Sequence, residues 1–273
     1  MMNTINTKES HLSTGFYSVG TGPENILIIG SCRAIPYANY FHYLNRNNLW
    51  TINLINLVNF HFDKAENRVE PEDQIRPLET SKKVLDMIGK TDWFIHEFIG
   101  SFGMYSTNRT GAKHIYQFGM APKIDIGIPN FDNGFILMQE LVELDPEIGK
   151  LAREYHGIPP DLQNRVREIG EEKMEGFARS CALFSDFPEM ETTFRSTWRE
   201  IRYFWSGTHI SNAFTVEIFR LMASRLPDLA PTPGFWNKIK GEDAYAQPRS
   251  PITKYDVENY GLKWPQPVEE LKL

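Results

Sequence analysis

The sequence predicts an α/β protein, with a parallel, doubly wound sheet and a largely helical C-terminal half. Three observations carry this. Short aliphatic runs alternate with helix-period segments through about residue 120. The first run, Ile26–Ile29 closed by Gly30, is continuous rather than alternating, which suits a strand buried on both faces. From about residue 130 the pattern turns almost wholly helical.

Residues 1–24 are rich in Thr, Ser, Asn and Gly and read as an N-terminal arm. After the strand at 26–30, Ile35, Ala38, Tyr40, Phe41 and Leu44 fall at helical spacing, with Pro36 in the first turn, where a missing N–H costs nothing. WTINLINLV (50–58) nearly alternates and predicts a second strand. A helix is expected after Pro77, with Leu78, Val84, Leu85 and Ile88 inward and Gly89 as its stop. DWFIHEFIG (92–100) and HIYQFGM (114–120) are the third and fourth strand candidates. The α/β domain is expected over 25–228, with a helical cap at about 135–205. Residues 229–273, rich in Pro and Gly with scattered aromatics, read as an irregular tail packed on the domain.

A formal net charge of −6 argues against a general polyanion binder, which needs a basic face to release counterions. Cys32 and Cys181 form no CxxC pair, so no disulfide scaffold or zinc ribbon is suggested and a reducing, cytoplasmic setting is the expectation. The polar N-terminus has no apolar signal core, and no stretch approaches the roughly 18 apolar residues of a membrane span. His42, His61, His96, His114, His156 and His209 show no metal-ligand spacing, so no metal is expected. No phosphate-loop or dinucleotide pattern occurs; a phosphate ligand would need local cations such as Arg33, Lys82, Lys83, Arg109, Lys113 or Lys123. Aromatics and arginines interleave in RSTWREIRYFW, which reads as one buried face of an amphipathic helix with the arginines outside, not as a nucleic-acid platform.

If the first strand ends at Gly30, Ser31 and Cys32 sit on the turn opening the next helix. Backbone N–H groups point outward there, and the positive dipole end with Arg33 stabilises a thiolate, the form that attacks acyl carbon. The bland alternative is a small buried hydrophobe filling space under the helix. An apolar strand ending G-x-S and opening a helix resembles the first block of the SGNH hydrolase superfamily. The cysteine version, G-N-C-Q, resembles the capsule-polysaccharide family named after WcbI. Here the residues are G-S-C-R: Gly30 and Cys32 match, Ser31 and Arg33 differ. Downstream, His209, Ser211 and Asn212 match that family's H-P-S/T-N segment before a long helix, with Ile210 in place of proline.

The resemblance implies an SGNH/flavodoxin-like fold that binds coenzyme A and transfers an acetyl or other acyl group to a sugar hydroxyl in polysaccharide biosynthesis. Its partners are then a small-molecule acyl donor and a sugar acceptor, with no nucleic acid; a homo-oligomer is compatible. Cys32 becomes the nucleophile or thioester-contacting residue and His209 the base, histidine being the side chain most easily poised near neutral pH. His96, ending the third strand beside Glu97, is the second candidate base, both being expected to face the crevice of Cys32. The aspartate that precedes the SGNH histidine by three residues is Ser206 here, leaving Glu97 and Asp132 as candidate third members. Gly30, Ser31, Arg33, Asn130 and Asn212 are the expected cofactor-binding residues. Oxyanion donors are sought at the N–H of Cys32 or Arg33, with Gly100, Gly103 and Asn130. Two rivals stand beside transfer: a thiol esterase acting on water, and a non-catalytic binding or structural protein that kept the fold.

Overall fold

Four buried aliphatics in a row, Ile26 to Ile29, none more than 1% exposed, can only be accommodated in a strand covered on both faces and flanked on both edges. That strand, β2 (Glu24–Gly30), lies between two parallel neighbours in a five-stranded sheet. The computed structural model describes residues 16–56, 89–97, 122–129, 137–183, 185–207, 209–226, 229–241 and 249–273, without the side chains of Phe16, Cys32 and Asn56. The predicted helix after Pro77, the strand at 114–120 and most of the N-terminal arm lie outside these residues. The described chain forms two units, the first built from residues within 1–130, 184–186 and 221–239, the second from those within 131–183, 187–220 and 240–273.

In the first unit, β1 (Phe16–Val19) is an antiparallel edge strand, and β3 (Trp50–Asn56), β2, β4 (Trp93–Glu97) and β5 (Ile124–Ile128) are parallel. Their spatial order is β1-β3-β2-β4-β5, so the order reverses between β2 and β4. β1 falls inside the stretch expected to be an arm; Tyr17 to Val19 pair with Leu54 to Ile52, and Ser18 Oγ donates to Asn53 Oδ1 at 2.9 Å. The sequence pattern does not predict β5 either, because Ile124–Ile128 carries Asp125 and Gly127, poor strand formers. Its register is supplied by β4, from Trp93↔Ile124 to Glu97↔Ile128.

Between β2 and β3 runs α1 (Ile35–Leu44), entered through a 3-10 turn at Cys32–Ala34 and carrying Pro36 in its first turn. Its Phe41 ring meets Trp50 and Trp93 edge-on at centroid distances of 6.1 and 6.2 Å, and the two tryptophans lie 5.6 Å apart. Such aromatic pairs contribute about 1 kcal/mol each beyond their burial, and they anchor α1 to the starts of β3 and β4. At that same end Lys123 Nζ sits 3.1 Å from both Glu24 and Asp92. This cation therefore lies opposite the strands' carboxyl ends, away from the edge where a phosphate ligand would bind.

The second unit is mainly helical: α2 (Met138–Leu144), α3 (Pro146–Glu154), α4 (Pro160–Leu183), α5 (Glu189–Thr197) and, after a small hairpin, the first part of α6 (Asn212–Arg225). Burial at 162, 166, 170, 174, 177, 178 and 181 traces one stripe along α4. Phe177 on that stripe packs against Phe194 and Phe204 at 4.3 and 4.7 Å. The segment RSTWREIRYFW is not one helix. α5 stops at Thr197 and the chain turns into β6 (Phe204–Ser206), paired with β7 (His209–Ile210). Arg202 is therefore inside, 6% exposed, and donates to the carbonyls of Phe204, Trp205 and Ser250.

The stretch expected to be an irregular tail is structured: α7 (Pro233–Gly241), α8 (Lys254–Tyr260), and β8 (Ile252–Thr253) paired in parallel with β9 (Val268–Glu269). Asp256, fully buried, organises it by accepting from the N–H of Met138 and Thr253 and from the Thr253 hydroxyl, each at 2.7 Å. Among the described residues no helix is long and apolar enough to cross a membrane.

Candidate functional site

The turn G-S-C-R follows β2 at the carboxyl edge of the sheet, beside the reversal of strand order, where open α/β sheets bind ligands. What shapes it is a carboxylate. Glu97, the last residue of β4 and 1% exposed, accepts Ser31 N–H at 2.6 Å and the Ser31 hydroxyl at 2.8 Å through Oε2. Its Oε1 lies 3.2 Å from Arg33 Nε, and Arg33 also donates to Ser31 Oγ from Nε and from its backbone N–H. Gly30 is required by this close approach: a Cβ there would stand 2.7 Å from Glu97 Oε2 and 2.7 Å from the Ala34 Cβ. The motif's glycine is thus explained by packing against the acid at the end of the neighbouring strand, not by a special backbone angle.

Cys32 opens the 3-10 turn, with Ala34 N–H bonded to the Ser31 carbonyl at 3.0 Å; its side chain lies outside the described atoms. Asn130, Gly100, Gly103 and Asp132 lie outside the described residues. Tyr37, on the first turn of α1, is buried, and its hydroxyl is held well above the usual tyrosine range by burial first, then by the charges of Tyr40 and Glu97.

His96 and Glu97 do not share a face. Consecutive strand residues point to opposite sides of the sheet, so Glu97 reaches the β2 turn while His96 stacks on Phe94 at 4.7 Å. Its Nε2 lies 3.0 Å from Asp125 Oδ1, on β5, and the residue is 5% exposed. The expectation of one crevice for both residues fails on the strand's period of two.

His209 belongs to the second unit. The hairpin of β6 and β7 opposes Ser206 to His209, and Ser206 Oγ lies 3.0 Å from His209 Nδ1. The serine three residues before the histidine therefore contacts Nδ1 of the ring. Glu140 fastens the hairpin: its Oε1 accepts Gly207 N–H at 2.8 Å and the Ser250 hydroxyl at 2.6 Å. Arg202 holds the adjoining carbonyls, and burial with the nearby Arg249 charge pulls its guanidinium down to about 10.

Asn212 is engaged internally, donating from Nδ2 to the Lys240 carbonyl at 3.2 Å, while the Thr215 hydroxyl bonds back to its carbonyl at 3.0 Å. Ser211 is 1% exposed and its N–H bonds to the Tyr203 carbonyl at 2.7 Å. Sequence reasoning missed Glu140 because its partners, at 207 and 250, are remote in the chain. The one local signal was its place near the start of a helix whose preceding N–H, at Leu137, it also accepts at 3.2 Å. Among the described residues no three His, Cys, Asp or Glu side chains converge as a metal-binding set.

No protein-family model matches the chain. No curated protein matches it. Among solved structures, that of WcbI, described as a novel polysaccharide biosynthesis enzyme in its native form without a disulfide bond between coenzyme A and a cysteine, is similar to it. The likeness covers 85% of this chain and 78% of that chain, at 15% identity and a TM-score of 0.48.

Proposed function

We propose that the chain is a coenzyme A-dependent acyltransferase that acylates a sugar hydroxyl, with Cys32 meeting the acyl thioester and His209 acting as base. The observation that carries this reading is the clamp of Glu97 on Ser31 and Arg33. It gives the Gly30–Arg33 turn one geometry at the carboxyl end of a central parallel strand, where ligands of open α/β sheets bind. Coenzyme A and the sugar enter through the resemblance of Gly30 and Cys32, and of His209, Ser211 and Asn212, to the family named after WcbI. We read the sheet accordingly as doubly wound and SGNH-like.

In this reading the Cys32 thiolate attacks the acyl carbon, the carbon–sulfur bond of the donor thioester breaks, and the acyl group rests on Cys32. His209 removes the proton of the acceptor hydroxyl, whose oxygen attacks that carbon and frees the thiol. Ser31 and Arg33 have both their side chains and their backbone N–H groups engaged in the clamp, so their part is to fix the turn that carries Cys32. Asn212 and Ser211 hold the start of α6 behind His209.

The test is incubation with acetyl-coenzyme A, with and without oligosaccharide acceptors, together with intact-mass measurement and free-thiol release. Acyl transfer that needs the acceptor and is lost in Cys32→Ala supports the reading. Acceptor-independent release identifies a thiol esterase instead. Absence of any melting-temperature rise with coenzyme A, and of any adduct, leaves a binding or structural protein.

A further inference from the structure

The second unit carries a cleft of about 370 Å³ whose lining includes none of the residues assigned above to acyl transfer. Its size falls within the roughly 300–1,000 Å³ of small-molecule sites. Three separate segments converge on it. The turn after α3 supplies His156, the start of α8 supplies Lys254 and Tyr255, and β9 with the residues beyond it supplies Glu269, Glu270 and Leu271.

The walls are fixed. Tyr255 and Leu271 pack on the core cluster that includes Met138, Leu141 and Ile148. The far wall is held by Gln139, 4% exposed, which accepts Lys272 N–H at 2.9 Å and donates to the Lys272 carbonyl at 3.2 Å. β9 is further tied to β8 through Ile252↔Val268 and Thr253↔Glu269. Such a cleft is present before any ligand arrives, so little ordering opposes binding.

Its polar groups are available. Among the described residues the side chains of His156, Glu269 and Glu270 make no hydrogen bond or ion pair, and Lys254 makes only a ring contact, its Nζ 5.0 Å from the Tyr255 centroid. By contrast Arg33, Glu97, Glu140 and Asn212 are all engaged within the fold. His156 also has a left-handed backbone, φ 50°, at the position after a helix where glycine is the favoured residue. His156 thereby brings to the lining an imidazole that can donate and accept.

The charges narrow the ligand. Two carboxylates beside one ammonium repel a phosphate or carboxylate. A molecule with an apolar C–H face for Tyr255 and Leu271 and several hydroxyls offers a hydrogen-bond partner to the carboxylates, the ammonium and the imidazole alike. We propose that this cleft is a binding site for a saccharide unit. The proposal is independent of acyl transfer, because it concerns binding to the second unit alone.

The experiment is an NMR titration of the intact protein with methyl glycosides of neutral hexoses, run beside inorganic phosphate and methylammonium. The expected result is shifts at Tyr255 and Glu269–Leu271 with a Kd on the order of 1 mM, weakened roughly tenfold in Tyr255→Ala and in the double variant E269Q/E270Q, and retained in Tyr255→Phe. The exposed glutamates can be changed without unfolding, so a misfolded Tyr255→Ala leaves the test intact. No shifts with any glycoside, shifts confined elsewhere, or binding of phosphate or methylammonium at these residues in place of sugars overturns the proposal.

Discussion

The carboxylate of Glu97 receives both the N–H and the hydroxyl of Ser31, at 2.6 and 2.8 Å, and so joins the end of β4 to the turn after β2. Both partners are buried, and Arg33 lies against the other oxygen. In Glu97→Gln the charge is lost while the shape is kept, and the amide turns an N–H toward Ser31 or toward the guanidinium. Breaking one side of a buried pair costs about 3 kcal/mol, so chemical denaturation of this variant is expected to show a loss of that order. Unchanged stability would mean that the clamp does not hold the turn.

The same contact explains Gly30. A methyl group there stands 2.7 Å from the carboxylate oxygen, so Gly30→Ala displaces Glu97. Overpacking of this kind costs roughly 1–3 kcal/mol, and a lowered melting temperature is expected even though alanine is otherwise the better-behaved residue.

Thiol chemistry isolates Cys32. Cys181, on the inner stripe of α4, is fully buried, and burial with the nearby Glu191 charge pushes its thiol far above the usual range. Native protein treated with a thiol reagent is expected to react at Cys32 alone, and Cys32→Ala not at all, with Cys181 appearing only on unfolding. Prompt labelling of Cys181 in folded protein contradicts its burial.

Ser206 sits on Nδ1 of His209 at 3.0 Å and influences which ring nitrogen carries the proton. Ser206→Ala removes a neutral hydrogen bond worth about 1 kcal/mol, so acyl turnover is expected to fall by up to roughly tenfold, with the ring's nitrogen shifts moving toward a tautomer mixture. Turnover that falls while the shifts stay fixed would separate the serine from the ring.

Asp256 links pH to stability. Burial raises its carboxyl above the ordinary aspartate range despite the bonds from Thr253 and Met138. The folded state then holds that proton more tightly than the unfolded chain does. Its contribution is complete below the unfolded value and declines as pH rises through the raised folded one. Asp256→Asn, which replaces the titrating carboxyl by an amide, is expected to cost about 1–3 kcal/mol. The gap to the parent protein should be widest in acid and narrow toward neutrality in paired denaturation curves.

Sequence alone determined the local facts. The continuous run Ile26–Ile29 specified a strand buried on both faces, the glycine after it marked the turn, Pro36 marked the first turn of α1, and the pattern beyond about residue 130 specified helix. These are encoded by neighbours in the chain, through periodicity and through residues that break it. Tertiary structure decided who meets whom. Ile124–Ile128 became a strand because β4 offered it a register, and Arg202 went inside because three carbonyls from 204, 205 and 250 surround it. Glu97 turned to Ser31 and Arg33 while His96 turned to Phe94 and Asp125. A polar group's partner is chosen by which elements pack together, and that choice is made across tens of residues, beyond the reach of any local pattern.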